Sequence, residues 1–177
     1  PAQGQYLVMD YIDGEDLRER IEREGRLPEK DVLVIGLRIC DALIYLHNLT
    51  PKVIHRDIKP GNIRITPEGN VVLVDFGLVK VFELNQQTAT GERAMTPGYS
   101  PPEQYGKGPT DERSDIYSLG ATLYAALTGM IPEESLNRIS GKEKLTPVRR
   151  YQPEISESFE RIILKALETD PENRFQT

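Results

Sequence analysis

Apolar residues follow two different rhythms along this chain. Beyond Leu27-Pro28, the residues Val32, Ile35, Ile39, Ala42, Leu43 and Leu46 return every three or four positions, which draws one apolar stripe along a long helix. Pro28 fits such a helix only in its first turn, where its missing N–H removes no bond. Residues 115–127 are apolar on nearly every side and close on Thr128-Gly129, so they read as a buried helix. Gly120, Ala121, Ala125 and Ala126 leave its backbone open to close approach. A third helix, over 155–168, is amphipathic, with Phe159, Ile162, Ile163, Ala166 and Leu167 inward.

Shorter apolar runs read as strands. Tyr6-Leu7-Val8-Met9 is one, broken by Asp10-Tyr11-Ile12-Asp13-Gly14. Residues 63–66 and 71–74 form a pair joined by Pro67-Glu68-Gly69-Asn70, a hairpin turn in which Gly69 can take positive φ. The length of 177 residues and 38% hydrophobic content suffice for one substantial core. A net charge of -6 argues against nucleic acid or an anionic membrane surface as the main partner. The single cysteine, Cys40, lies among apolar helical neighbours and reads as a buried, reduced thiol, which suggests a cytoplasmic setting. No apolar run has the length of a membrane span, so any anchor would lie outside this segment. Both ends read as cut, with strand at one and no cap at the other.

The candidate chemistry is concentrated in His55-Arg56-Asp57-Ile58-Lys59-Pro60-Gly61-Asn62, with Asp75-Phe76-Gly77 starting thirteen residues after Asn62. One segment precedes the hairpin and the other follows it, so Asn62 and Asp75 should emerge at the same end of the paired strands. Moving a phosphoryl group needs an acceptor for the nucleophile's proton, cations around the phosphate and oxygen ligands for those cations. Asp57, Lys59, Asn62 and Asp75 together supply these. With two histidines and one cysteine a zinc site is not credible, and Ser100 and Ser118 have no histidine base near them in sequence. His47 reads as a structural histidine.

These two segments match the catalytic-loop and metal-loop signatures of protein kinases. Landmarks in family order run from Tyr6 to Arg174, and the chain resembles the large lobe of a eukaryotic-type (Hanks-type) serine/threonine protein kinase, bacterial in flavour. The resemblance implies a mainly α (α+β) fold in which helices surround a small β-hairpin carrying both loops. Residues 1–14 would be the last small-lobe strand and hinge, and 15–177 the large lobe short of its final helix. It implies ATP and magnesium or manganese as cofactors, and a protein carrying a serine or threonine hydroxyl as substrate. Asp57 would accept the hydroxyl proton, Lys59 would neutralise phosphate charge, and Asn62 and Asp75 would hold the metal. Lys59 itself marks the serine/threonine branch, and Thr96 in Thr96-Pro97-Gly98-Tyr99 would tie Asp57 to Lys59.

Further assignments come from the same resemblance. Arg56 marks kinases controlled by activation-segment phosphorylation, with Thr88 and Thr90 as the acceptor candidates. Glu103 of Pro101-Pro102-Glu103 would pair with Arg174, Asp115 would accept backbone N–H groups from the catalytic loop, and His55 would stack under Phe76. Adenine would meet the backbone of Asp10 and Ile12, with Met9 behind, Leu17 beneath and Asp16 near the ribose. Arg64 stands where the family has an apolar floor residue, and could lay its stem under the purine while its charge reaches water. The glycine-rich loop and nucleotide-gripping lysine would lie upstream of Tyr6 in a small lobe. The 177 residues alone are therefore expected to be inactive and to self-associate through apolar hinge surface around Leu7, Met9, Ile12, Leu17 and Ile63. A non-catalytic pseudokinase or scaffold is the alternative reading.

Overall fold

The computed structural model describes residues 10–76, 80–81, 95–106 and 109–177. The Tyr6–Met9 strand, Gly77 and the threonines Thr88 and Thr90 lie outside the described residues. From the start of this region, a short strand β1 (Glu15–Asp16) leads into helix α1 (Leu17–Glu24) and the long helix α2 (Glu29–His47). Strands β2 (Val53–Ile54), β3 (Ile63–Ile65), β4 (Val71–Leu73) and β5 (Lys80–Val81) follow. The remainder is helical: α3 (Pro102–Tyr105), α4 (Glu112–Thr128), α5 (Ser135–Ile139) and α6 (Glu157–Ala166).

The hairpin forms as its turn chemistry dictates, β3 pairing antiparallel with β4 in the register Ile63 to Leu73 and Ile65 to Val71. Gly69 sits at φ +83, in the left-handed region that a residue with a side chain rarely adopts. On its other edge β3 takes β1, which gives a three-stranded sheet, while β2 and β5 make a separate antiparallel pair.

Helix α4 is the centre of the molecule. Fourteen residues from Ser114 to Thr128 are buried, so no face of the helix is left to solvent. Its neighbours approach closely because α4 is small-sided: a Cβ on Gly120 would lie 2.8 Å from the Ala166 Cβ of α6. Asp111 caps the first turn by accepting from the Arg113 N–H, and Gly129, at φ 69, ends the helix in the left-handed conformation. On one side α2 supplies the stripe Val32, Ile35, Ile39, Leu43 and Leu46, and on another α6 supplies Phe159, Ile163 and Ala166, all buried.

Three details depart from the sequence expectation. Cys40 is exposed, because it stands about 100° round the helix from Ile39 and so off the buried stripe. Its apolar neighbours Leu33, Leu37 and Ile44 share that outward side and are themselves exposed. Ile162 is likewise exposed, since α6 turns Phe159, Ile163 and Ala166 inward and leaves Ile162 at the margin. Pro28 is the cap residue of α2, one position before the first turn.

Candidate active site

The loop 55–62 is held from below by one carboxylate. Asp115, fully buried in the first turn of α4, accepts the backbone N–H groups of His55 at 2.9 Å and Arg56 at 2.8 Å, and its Oδ2 also meets His47 Nε2 at 2.9 Å. A buried carboxylate needs such partners, and the loop needs its N–H groups satisfied, so each solves the other's problem. Gln104 of α3 adds a bond from its side-chain amide to the Arg56 carbonyl, 2.9 Å. The support role expected of Asp115 is what this geometry provides. His47 is the structural histidine the sequence suggested, though nothing in the sequence named its partner, and the contribution of Gln104 was not foreseen, since it follows Glu103 with no motif meaning of its own.

On this base Asp57, Lys59, Asn62 and Thr96 converge. Lys59 Nζ lies 2.8 Å from Asp57 Oδ2, and the Asn62 amide donates to the same oxygen at 2.9 Å and to the Asp57 carbonyl at 2.8 Å. The Thr96 hydroxyl donates to Asp57 Oδ1 at 3.1 Å and accepts from Lys59 Nζ at 3.4 Å. An ionised carboxylate has about four lone-pair sites, and three donors occupy three of them. Among the described residues one acceptor site on Asp57 therefore remains open to a further donor. Thr96 is placed by its own turn, in which the Tyr99 and Ser100 N–H groups bond back to the Thr96 carbonyl at 3.0 Å each.

The hairpin couples this cluster to Asp75. The Val74 N–H donates to the Asn62 carbonyl at 2.9 Å, so Asp75 follows directly on the residue bonded to Asn62. Asp75 at φ 66 and Arg56 at φ 70 are the non-glycine residues with positive φ among those described. Such conformations cost on the order of 1–3 kcal/mol each and collect where function fixes the backbone. Phe76 meets His55 with ring centroids 5.0 Å apart and planes at 62°, an edge contact where a stack was expected. Burial, the dominant influence, holds the His55 pKa below its usual 6.5 against the opposing charges of Asp115 and Asp57.

Two side-chain oxygens of the hard kind that a divalent cation takes lie on adjoining segments. With its amide nitrogen committed to Asp57, Asn62 keeps its side-chain oxygen as the hard ligand atom, and Asp75 offers a carboxylate on the adjoining segment. Glu103 and Arg174 form the expected pair, Nη1 to Oε1 at 2.7 Å and Nη2 to Oε2 at 3.0 Å. Arg174 is fully buried over the Tyr117 ring and also donates to the carbonyls of Glu168, Arg113 and Thr169. Ser114 adds a hydroxyl bond to Glu103 at 2.9 Å.

Comparison with known proteins decides what this constellation is: residues 2–177 match the protein kinase domain family. The chain belongs to that family. Among relatives it is similar to the serine/threonine-protein kinase PrkC of Bacillus subtilis, 37% identical over 97% of this chain and 27% of the relative, and to PknB of Mycobacterium leprae, 36% identical over 97% of this chain and 28% of the relative. The chain thus spans about a quarter of the length of these relatives. Its fold is similar to the crystal structure of the Mycobacterium tuberculosis PknI kinase domain, with a TM-score of 0.72 and 27% identity over 96% of this chain and 60% of that one.

Around the hinge this kinase chain differs from the sequence expectation. Leu17 is fully buried in the core, so it supports the hinge from within and offers no surface beneath a purine. Asp16 is taken up as the cap of α1: Oδ1 accepts from the Glu19 N–H at 2.8 Å and Oδ2 pairs with Arg18 at 3.2 Å. Arg64 does not send its charge to water. Its guanidinium donates to the Ile12 carbonyl at 3.3 Å and to the Gly14 carbonyl, clamping the hinge onto β3. Asp10 is exposed, and Met9 lies outside the described residues.

Proposed function

We propose that this chain is the acceptor-side part of an ATP-dependent protein kinase that phosphorylates serine and threonine hydroxyls. The observation that carries the reading is the convergence of Lys59, Asn62 and Thr96 on the two oxygens of Asp57. Asp57 accepts the hydroxyl proton as the oxygen attacks; the three donors fix its rotamer so that the remaining lone pair faces one direction. Lys59 stands within reach of both Asp57 and Thr96, where its charge offsets that of an arriving phosphate. Asn62 and Asp75 would hold magnesium or manganese with ATP, and a cation there supplies electrostatic neutralisation of the transferred phosphoryl group. Serine and threonine, and not tyrosine, are the acceptors that Lys59 and Thr96 imply by their likeness to the serine/threonine-protein kinases.

The direct test uses the protein produced from its whole gene, with labelled ATP and a protein substrate. Phosphate on serine or threonine is the expected result, and a fall of about 10²–10⁴-fold in transfer with Asp57→Asn. Absence of transfer under conditions that saturate nucleotide binding would favour the scaffold reading. One feature bears on that alternative: Arg64, which stands where the family has an apolar floor residue, is drawn to the Ile12 and Gly14 carbonyls of the hinge. Self-association also belongs to this proposal, with a changed surface. Leu17 and Ile63 are fully buried and cannot contribute, whereas Leu37, Ile44 and Tyr45 on α2 are 59%, 60% and 68% exposed.

A further inference from the structure

Arg64 is the only charged residue in strands β3 and β4. Residues opposite one another in a sheet share a face, so Arg64 lies on one face with Asp16 of β1 and Val72 of β4, while Ile63 and Leu73 share the other and are buried in the core. Arg64 is therefore half-buried on the side of the sheet away from the core. Its register partner does not neutralise it: the Asp16 carboxylate accepts from the Glu19 N–H at 2.8 Å and pairs with Arg18 at 3.2 Å. Among the described residues Arg64 has no ion pair, and one of its amino groups, Nη2, donates to the Ile12 carbonyl at 3.3 Å and to the Gly14 carbonyl.

Sheet formation does not account for these two bonds. Strands β1 and β3 are already in register through Glu15 to Ile65 and Asp16 to Arg64. Gly14, at φ +116, already lies so near β3 that a Cβ there would be 2.1 Å from the Ile65 carbonyl oxygen. What the guanidinium adds is a hold on the chain ahead of β1, where backbone pairing has not yet begun. Hydrogen bonds from a charged donor are stronger than neutral ones, and a planar group bonded to two carbonyls fixes two peptide units relative to each other. On this restrained stretch the half-buried Ile12 keeps a backbone N–H with no partner among the described residues. Such a donor is left ready for an acceptor from outside the chain.

We infer that Arg64 is a positioning residue for the nucleotide: its guanidinium holds residues 12–14 in the conformation that receives the base. The inference rests on the phosphotransfer reading given above and names what orders the base-binding stretch of that same site. A stretch ordered in the free protein loses less backbone freedom on binding, and the affinity gained in this way depends on the two carbonyl bonds. Arg64 acts through the backbone it holds and takes no part in the transfer.

Binding to the nucleotide-free protein from its whole gene tests this, with adenosine and ATP as the probes. Arg64→Met keeps an unbranched stem and removes the donors, whereas Arg64→Lys keeps the charge and a donor for one carbonyl at a time. Arg64→Met is expected to raise the Kd of adenosine and of ATP by the same factor, about tenfold, with the loss of rate appearing in KM and not in kcat. Hydrogen exchange at 12–14 in the free protein should quicken, and Arg64→Lys should recover part of both losses. Unchanged affinity, an effect on ATP without one on adenosine, a loss confined to kcat, or weaker binding without faster exchange each overturns the inference. Affinity and exchange that respond as expected in a protein transferring no phosphate would sink the phosphotransfer reading and leave the positioning role standing. A protein that binds neither probe overturns both.

Discussion

Thr96 shows how one side chain serves two others. Its hydroxyl donates a hydrogen bond to Asp57 and accepts one from Lys59, so Thr96→Val removes both bonds while leaving the volume nearly unchanged. Transfer should fall by roughly tenfold, about the worth of one hydrogen bond to a charged group, with little change in nucleotide KM. Thr96→Ser should restore most of the rate. His55 makes a prediction about pH. Its folded pKa lies below the usual 6.5, so the unfolded chain binds more protons as pH drops beneath 6.5. Stability from this group is fully present above pH 6.5 and is lost progressively below it, until the folded pKa is reached. Urea denaturation on either side of pH 6.5 should show that loss, and His55→Phe should shrink it. Asp57, Lys59 and Asn62 were legible in the sequence because a short motif fixes their spacing, and Thr96 because its own segment, Thr96-Pro97-Gly98-Tyr99, resembles the family's. The Arg64 clamp was not, since it joins β3 to a hinge some fifty residues away and no local pattern records where a long side chain ends.

Among the elements, α4 and the activation-segment end at α3 are joined by Glu103, Ser114 and Arg174. Glu103→Ala would leave the Arg174 guanidinium buried without its counter-charge, and about 3–5 kcal/mol of destabilisation is expected by chemical denaturation. Glu103→Gln, which keeps an acceptor for the Arg174 guanidinium, should cost less than Glu103→Ala. Helices α2, α4 and α6 and the β3–β4 hairpin were readable from periodicity and turn residues, with limits moved by only a few positions, whereas α1, α3 and α5 were not, being too short to set up a clear apolar period. Helix α4 was easiest to read, as a segment apolar on all sides has only the interior to occupy. What periodicity could not separate was the buried stripe of α2 from the second apolar stripe beside it, and so Cys40 was assigned to the wrong face. Two stripes on one helix look like a single broad one until a neighbour covers one of them.

At the scale of the molecule, the 177 residues hold the Asp57 cluster, to which acceptor-side chemistry is proposed, and their sequence has no glycine-rich phosphate-covering motif. Taken alone they are expected to transfer phosphate at background rate, measured against the protein from the whole gene in the same assay. They are also expected to sediment as more than a monomer at high concentration, and Leu37→Glu with Ile44→Lys should return them to one species. A monomeric profile for the unmodified chain would count against the α2 surface. The central claim, that Asp57 is the proton acceptor of a phosphoryl transfer, is tested most directly by measuring nucleotide affinity and turnover together for Asp57→Asn in the full-length protein. The account predicts an unchanged Kd for the magnesium–ATP complex and a kcat lower by about 10²–10⁴-fold. A variant that turns over like the unmodified protein would contradict it.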